Sequence, residues 1–351
     1  MRLAFLILLC LALSVSCSKT SIPDSPIGHF ETVYTLKHSK CVDLENQFDI
    51  LVPFRIDVTS KWNVMKDFGS RENHIVLLSK DGKKVIKGIR IGQGPNEVTG
   101  PEVFCTVVGD RVVLIDYNGR KQLFVEAVGD SLKVVDTRSL SSLGALGLQL
   151  LTESKALQVT FMDSVTFLKL ANISNGEVLS TIGYPHNPAL SEFSGMVQNT
   201  VYGNSFVAVS PDCSHFAYSV GFSEQYGFGR IVDDKLIMDK EYVYSPIKIK
   251  DVVGGRVIIP AKDNRINCIY ATGTDKHVLF VYSGRKQGDK NEALSNNILV
   301  YSWNGTPKAR IILDRYVNSV AYDEERNVLV AVTDDNGSYC VEYDLNGMID
   351  L

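Results

Sequence analysis

From about residue 50 onward the chain is a succession of short apolar or alternating runs broken by turn residues, with almost no helical period. His74-Ile75-Val76-Leu77-Leu78, Arg111-Val112-Val113-Leu114-Ile115-Asp116 and Lys276-His277-Val278-Leu279-Phe280-Val281-Tyr282 are representative. Runs rich in β-branched and aromatic residues, bounded by Gly, Asn and Asp, read as strands. Asp81-Gly82, Asn118-Gly119, Asn175-Gly176, Asn304-Gly305, Asn336-Gly337 and Asn346-Gly347 supply the positive φ angles that tight hairpin turns require. The cleanest hairpin runs from Ile298 to Trp303, turns at Asn304-Gly305 and returns through Ala309 to Leu313.

These runs recur. Apolar stretches read as inner strands begin near Ile75, Val112, Leu157, Phe216, Val278 and Val328, and each interval has room for a further strand pair. Three or four strands per unit, six times over, predict an all-β fold: a six-bladed β-propeller of four-stranded antiparallel blades. A β-sandwich pair fits less well because the spacing recurs without a break in composition, and no short solenoid repeat is visible. The Leu-, Ser- and Gly-rich stretch from Ser139 to Leu151 reads as a helix or a loop insertion. Asp49-Ile50-Leu51-Val52-Pro53-Phe54 is the candidate for an N-terminal strand that closes the ring. Six such units turn the two-domain expectation for 351 residues into a single propeller domain over 41–351.

Composition agrees with a packed fold. At 45% hydrophobic and 22% charged residues, disorder, collagen and coiled coil are excluded as the main state. Thirty-six Lys and Arg against 40 Asp and Glu give a net charge of −4, which argues against a nucleic-acid partner.

The N-terminus reads as an address. A cationic Met1-Arg2 precedes the apolar run Leu3 to Leu13, too short for a membrane-spanning helix and the right length for a signal-peptide core. Ser14-Val15-Ser16-Cys17 then resembles a bacterial lipobox, with Ser14 standing where Leu is usual. The resemblance implies a signal peptide over 1–16, acylation of Cys17 and a lipidated tether over 17–40. Ser18 is not Asp, and Lys19 and Thr20 interrupt any acidic export signal. The expectation is therefore an outer-membrane lipoprotein facing the periplasm, with exposure at the cell surface as the second reading, partnered with the membrane through its anchor. Cys41, Cys105, Cys213, Cys268 and Cys340 show no CxxC spacing, so no disulfide framework or zinc site is expected.

Ile89-Arg90-Ile91-Gly92-Gln93-Gly94-Pro95-Asn96-Glu97 is similar to the G-x-G-P-x-E element of Bacteroidetes six-bladed propeller lipoproteins, often called TolB-like. The stretches Leu279–Arg285, Asn297–Gly305 and Ile312–Asp314 also resemble that family. The resemblance implies the fold and no reaction.

Candidate chemistry is sparse. Gly92 to Glu97 lacks the third glycine and the following helix of a phosphate-binding loop, so it reads as a turn; Arg90 and Glu97 remain candidates for the channel mouth. The acidic turns Thr333–Gly337 and Asp233-Asp234 lack the calcium-loop pattern: the ligand position six residues after Gly337 is Tyr343. Histidines 29, 38, 74, 186, 215 and 277 show no metal-ligand spacing, and no nucleophile elbow exists, so no metal, cofactor or catalytic residue is assigned. Phe222 to Gly229 is a Gly-flanked aromatic stretch that reads first as a bent strand pair whose rings pack between blades and second as a glycan platform, with Tyr226 and Phe228 as binding candidates; Arg265 and Arg285 complete the binding candidates. The leading reading is a lipid-anchored binding scaffold with a protein partner in the envelope. The alternative is an enzyme or a sugar- or peptide-binding protein working through the central channel.

Overall fold

The structure, a computed structural model, describes residues 25–351 apart from 142–143, 246, 254–255, 261–262, 346–347 and 349–350. The expected signal peptide and Cys17 lie outside the described residues. Among the described residues no helix is long and apolar enough to cross a membrane.

Six four-stranded antiparallel sheets form the propeller. Blade 1 is β3 (Pro53–Val58), β4 (Trp62–Asp67), β5 (Ile75–Ser79) and β6 (Val85–Gly88). Blade 2 is β7 (Phe104–Val108), β8 (Arg111–Asp116), β9 (Lys121–Val128) and β10 (Ser131–Ser139). Blade 3 is β11 (Ala145–Leu150), β12 (Lys155–Thr160), β13 (Thr166–Asn172) and β14 (Val178–Gly183). Blade 4 is β15 (Ser205–Val209), β16 (His215–Val220), β17 (Gln225–Val232) and β18 (Lys235–Val243). Blade 5 is β21 (Cys268–Gly273), β22 (His277–Tyr282), β23 (Ser295–Ser302) and β24 (Pro307–Val317), edged by the parallel strand β1 (Val33–Leu36). Blade 6 is β25 (Ser319–Asp323), β26 (Val328–Thr333), β27 (Tyr339–Asp344) and, from the start of the chain, β2 (Lys40–Asp43). A hairpin, β19 (Asp251–Val253) with β20 (Arg256–Ile258), and two helices, α1 (Leu44–Phe48) and α2 (Gly195–Tyr202), are insertions.

The first strand of every blade packs against the first strand of the next, and β25 against β3 closes the ring. The apolar runs read as inner strands lie one or two places further out: β8, β12, β16, β22 and β26 are second strands and β5 is a third. Such strands are covered on both faces by neighbouring blades and so read as unbroken apolar runs. The innermost strands must face the channel as well, and their sequences are mixed.

Three expectations are corrected. Ring closure belongs to β2, paired from Lys40↔Glu342 to Asp43↔Tyr339, while Pro53-Phe54 begin the innermost strand of blade 1. Ser139 to Leu151 ends β10 and forms β11, not a helix. The tether expected over 17–40 is packed from Ser25: Phe30 and Leu36 are buried, and the His29 Nδ1 lies 2.5 Å from the Tyr244 hydroxyl.

The closing seam also carries charge. Lys80 Nζ meets Asp323 at 2.7 Å, and Arg326 bridges Asp323 at 2.7 Å and Glu342 at 3.0 Å. Lys40 joins at 3.3 Å from Glu342 and donates to the Lys80 carbonyl at 2.6 Å. Removing the shared Arg326 would leave the nearly buried Asp323 with Lys80 alone and Glu342 with Lys40 alone.

Candidate functional site

Strand order gives the propeller two unlike faces. Connectors between blades and between second and third strands emerge on one face; they include 89–103, 184–204, 244–267 and 283–294. The other face carries hairpin turns of two to five residues. Loops of the first kind are where binding groups are usually carried.

The first strands enclose a central channel of about 570 Å³, lined from all six blades. Its wall is mostly aliphatic and uncharged polar: Val107, Leu148, Val207, Thr106, Gln149, Tyr270 and Thr272. The charged side chains in that lining are Arg55 and Asp57, both on β3. Arg55 sits where the β3–β4 register shifts between Phe54 and Ile56, and its φ of 52° lies in the left-handed region. A bulge of this kind re-aims a side chain, and the strain is held by the surrounding packing. The guanidinium lies 5.6 Å from the Phe54 ring and 5.8 Å from Phe104, and its buried Nε has no hydrogen-bond partner. Burial pushes the Asp57 carboxyl up to about 7 against the opposing pull of Arg55. Burial also raises the Cys105 thiol to about 12, which keeps it protonated and a poor nucleophile.

A side pocket of about 400 Å³ opens on the connector face between blades 1 and 2 and shares Arg55, Phe104 and Leu146 with the channel. Phe54, Phe68, Phe104 and Tyr117 wall it. Lys66, on β4, is only 3% exposed. Its ammonium donates to the Val103 carbonyl at 3.0 Å and the Pro101 carbonyl at 3.2 Å, and stands 4.6 Å over the Phe68 ring. Burial first, and then the Arg55 charge, lowers its pKa to about 7. Asp116 also lines the pocket, but its oxygens accept from the Thr99 and Gly119 amides and the Thr99 hydroxyl. Glu102 stands exposed at the rim.

A smaller pocket of about 270 Å³ lies on the same face between blades 4 and 5, lined by Glu224, Lys248, Asp263, Asn264, Arg265 and Lys286 among others. Glu224 is buried, which raises its pKa, and accepts from the Tyr282 hydroxyl at 2.5 Å.

The sequence candidates fall into separate places. Arg90 is exposed and pairs with Glu72 at 3.2 Å; it lines neither channel nor side pocket. Glu97 folds back to accept from the Gly94 amide at 2.8 Å, and a Cβ at Gly92 or Gly94 would collide with it, so it organises its own turn. The channel-mouth reading of these two residues is thus corrected. Arg265 and Arg285 are brought together by an isolated bridge between Arg265 and Lys286 and by the Ile266 amide donating to the Arg285 carbonyl at 2.7 Å. Arg265 lines the smaller pocket, whereas Arg285 donates to the Lys290 and Asn291 carbonyls and lies 4.4 Å over Tyr316.

Tyr226 and Phe228 are fully buried, which removes the basis of a glycan platform. The glycines around them serve packing: a Cβ at Gly227 would fall inside the Tyr218 ring, and one at Gly229 against Phe216. Arg55, Asp57 and Lys66 escaped the sequence reading. Their only signal was charge inside strand-like runs, Phe54-Arg55-Ile56-Asp57 and Val64-Met65-Lys66-Asp67-Phe68. Among the described residues no group of three or more His, Cys, Asp or Glu is placed to hold a metal ion.

No family model matches the chain, and no curated protein matches it. Among solved structures, the chain is similar to a member of the DUF4221 family from Bacteroides vulgatus, at 10% identity and a TM-score of 0.51 over 88% of this chain and 97% of that one. U3-55K is matched at 9% identity and a TM-score of 0.45 over 88% of this chain and 99% of that one. A functionally unknown protein from Desulfotomaculum acetoxidans is matched at 13% identity and 0.41 over 78% and 73%. At such identities the first of these likenesses is one of fold.

Proposed function

We propose that the chain is a lipid-anchored envelope propeller, of the TolB-like kind found in Bacteroidetes, that acts as a binding scaffold through its connector face. The observation that carries this reading is the asymmetry between the faces: long connectors and the two side pockets on one, tight hairpins on the other. The packed N-terminal segment supports it too. Ser25 lies against the Tyr282 hydroxyl, at the end of β22 on the connector face. With Cys17 acylated, the short segment up to Ser25 holds that face within roughly 25 Å of the bilayer. The partner is then a protein at the surface of the outer membrane, on its periplasmic side.

The test has two parts. Mass spectrometry of protein from a lipoprotein-processing host should find acylated Cys17; an unmodified Cys17 overturns the anchor. A photo-crosslinking residue placed at Lys286 should capture a defined envelope protein, while one at Asp234, on the hairpin face, should not. Equal capture from both faces, or from neither, overturns the scaffold reading.

A further inference from the structure

We infer that the pocket between blades 1 and 2 is a binding site for a small carboxylate with an aromatic or apolar body, held by Arg55 and Lys66. The site goes beyond the scaffold reading and does not depend on it. Two cations face one cavity, and among the described residues neither is held in a carboxylate ion pair: Asp57 and Glu102 act on Arg55 and Lys66 only at longer range. Lys66 hydrogen-bonds only main-chain carbonyls, and the carboxylate acting on its charge, Glu102, is exposed; Arg55 meets rings and keeps a buried Nε without a partner. Burying an uncompensated charge is costly, and burying two close enough to repel is more so. An anion between them removes that cost.

The walls select the rest of the ligand. Phe54, Phe68, Phe104, Tyr117, Val103, Ile115 and Leu146 surround about 400 Å³, in the range of small-molecule pockets. A carboxylate on a ring meets two cations and four aromatic faces in this lining. Asp116 does not oppose it, since its oxygens are already engaged by Thr99 and Gly119. Glu102, exposed at the rim, disfavours a second negative charge on the ligand, so a monocarboxylate is the fit.

The alternative is that Lys66 only staples the 89–103 connector through the Pro101 and Val103 carbonyls. Calorimetric titration of the full-length protein at pH 7 with benzoate and phenylacetate, and with their neutral amides, separates the two. The acids should bind at least about tenfold more tightly than the amides, the size expected for one lost charge-assisted hydrogen bond. Arg55→Met and Lys66→Met should each remove that preference and Lys66→Arg should restore part of it, while Lys84→Met, on the hairpin face, should leave it intact. Circular dichroism and thermal melts establish that each variant is folded; if Lys66→Met does not fold, Arg55→Met carries the comparison. Equal binding of acid and amide, or no binding of either acid to the folded protein, overturns the site, and neither result bears on Cys17 acylation or on crosslinking at Lys286.

Discussion

Two interfaces of this propeller are built from aromatic rings and end in opposite conditions. Between blades 4 and 5, Tyr226, Phe228, Phe280 and Tyr301 are fully buried and meet one another at centroid distances of 5.2–6.3 Å. Their neighbours' polar ends are matched: Tyr226 donates to Asn267, Tyr242 to the Gly305 carbonyl and Tyr282 to Glu224. Between blades 1 and 2, Phe54, Phe104 and Tyr117 are only partly buried and Phe68 is 38% exposed, and the rings stand around a void with two cations at its edge. Phe54 pairs with Phe68 at 4.9 Å and Phe104 with Tyr117 at 5.7 Å, yet the two pairs do not close into one cluster as the blade 4–5 rings do. Rings that close on one another make stability, and ring pairs that border a charged gap make a place for something else.

The largest expected effect lies at the filled interface. Phe228→Ala deletes a fully buried ring packed against Tyr242, Phe280 and Tyr301, and should cost about 3–5 kcal/mol of unfolding free energy in urea titration. A loss below about 1 kcal/mol would mean that the interface relaxes around the deletion, and the contrast between the two regions would fail.

The closing seam comes next. Arg326→Met strips the shared partner from Asp323 and Glu342, whose side chains are 6% and 9% exposed. Since Arg326 itself keeps contact with water, the loss should be about 1–3 kcal/mol, below that for a fully buried pair. The same measurement made in high salt should shrink the difference between variant and parent only slightly, because buried pairs are poorly screened. A large salt effect would place this network with ordinary surface ion pairs.

How far these regions could be read from the sequence follows from what each strand touches. The second strands announced themselves because both of their faces are apolar, and the six-fold recurrence of runs such as Val112 to Ile115 was enough for the propeller. The ring's closure was not legible: Lys40-Cys41-Val42-Asp43 is short and half polar, and its partner β27 lies 300 residues away in the chain. Tyr226 and Phe228 were legible as rings packed between blades, the reading preferred over a platform; what the sequence did not show is that the glycines beside them admit the rings of β16. Arg55 and Lys66 were missed for the converse reason. A charge in a strand run reads as a solvent-facing position, and only the bulge at Arg55 and the stacking of blades 1 and 2 turn both toward one cavity.

The channel-side groups give a pH signature. For Asp57, raised from 3.8 to about 7, the folded state holds a proton that the unfolded chain has lost, so stability falls as pH rises from about 4 to 7. For Lys66, lowered from 10.5 to about 7, the unfolded chain holds the extra proton, so stability rises as pH climbs from about 7 to 10. The two costs are together complete near pH 7, and their sum is a minimum there. Unfolding free energies measured across pH 4–10 should show the acid limb flattened in Asp57→Asn and the alkaline limb flattened in Lys66→Met. If neither limb responds, the two groups titrate as they do in water and the cavity is wetter than its lining implies. No comparable feature is expected from Tyr226 or Phe228, which carry no charge in this range.

The smallest expected effect is at the unfilled interface, and it is the sharper half of the comparison. Phe68 is partly in water already, and its removal should cost only its contacts with the Phe54 ring at 4.9 Å, the His74 ring at 5.7 Å and the Lys66 ammonium at 4.6 Å, about 1–1.5 kcal/mol in all. Against Phe228→Ala this is a difference of several-fold for the same chemical change, and it is set by surroundings alone. Binding should move the other way. Phe68→Ala removes one wall of the pocket, so the benzoate titration should weaken while the melting temperature stays near that of the parent. A Phe68→Ala protein that unfolds as readily as Phe228→Ala would make the blade 1–2 rings a packing interface after all, and the gap among them a minor flaw in it.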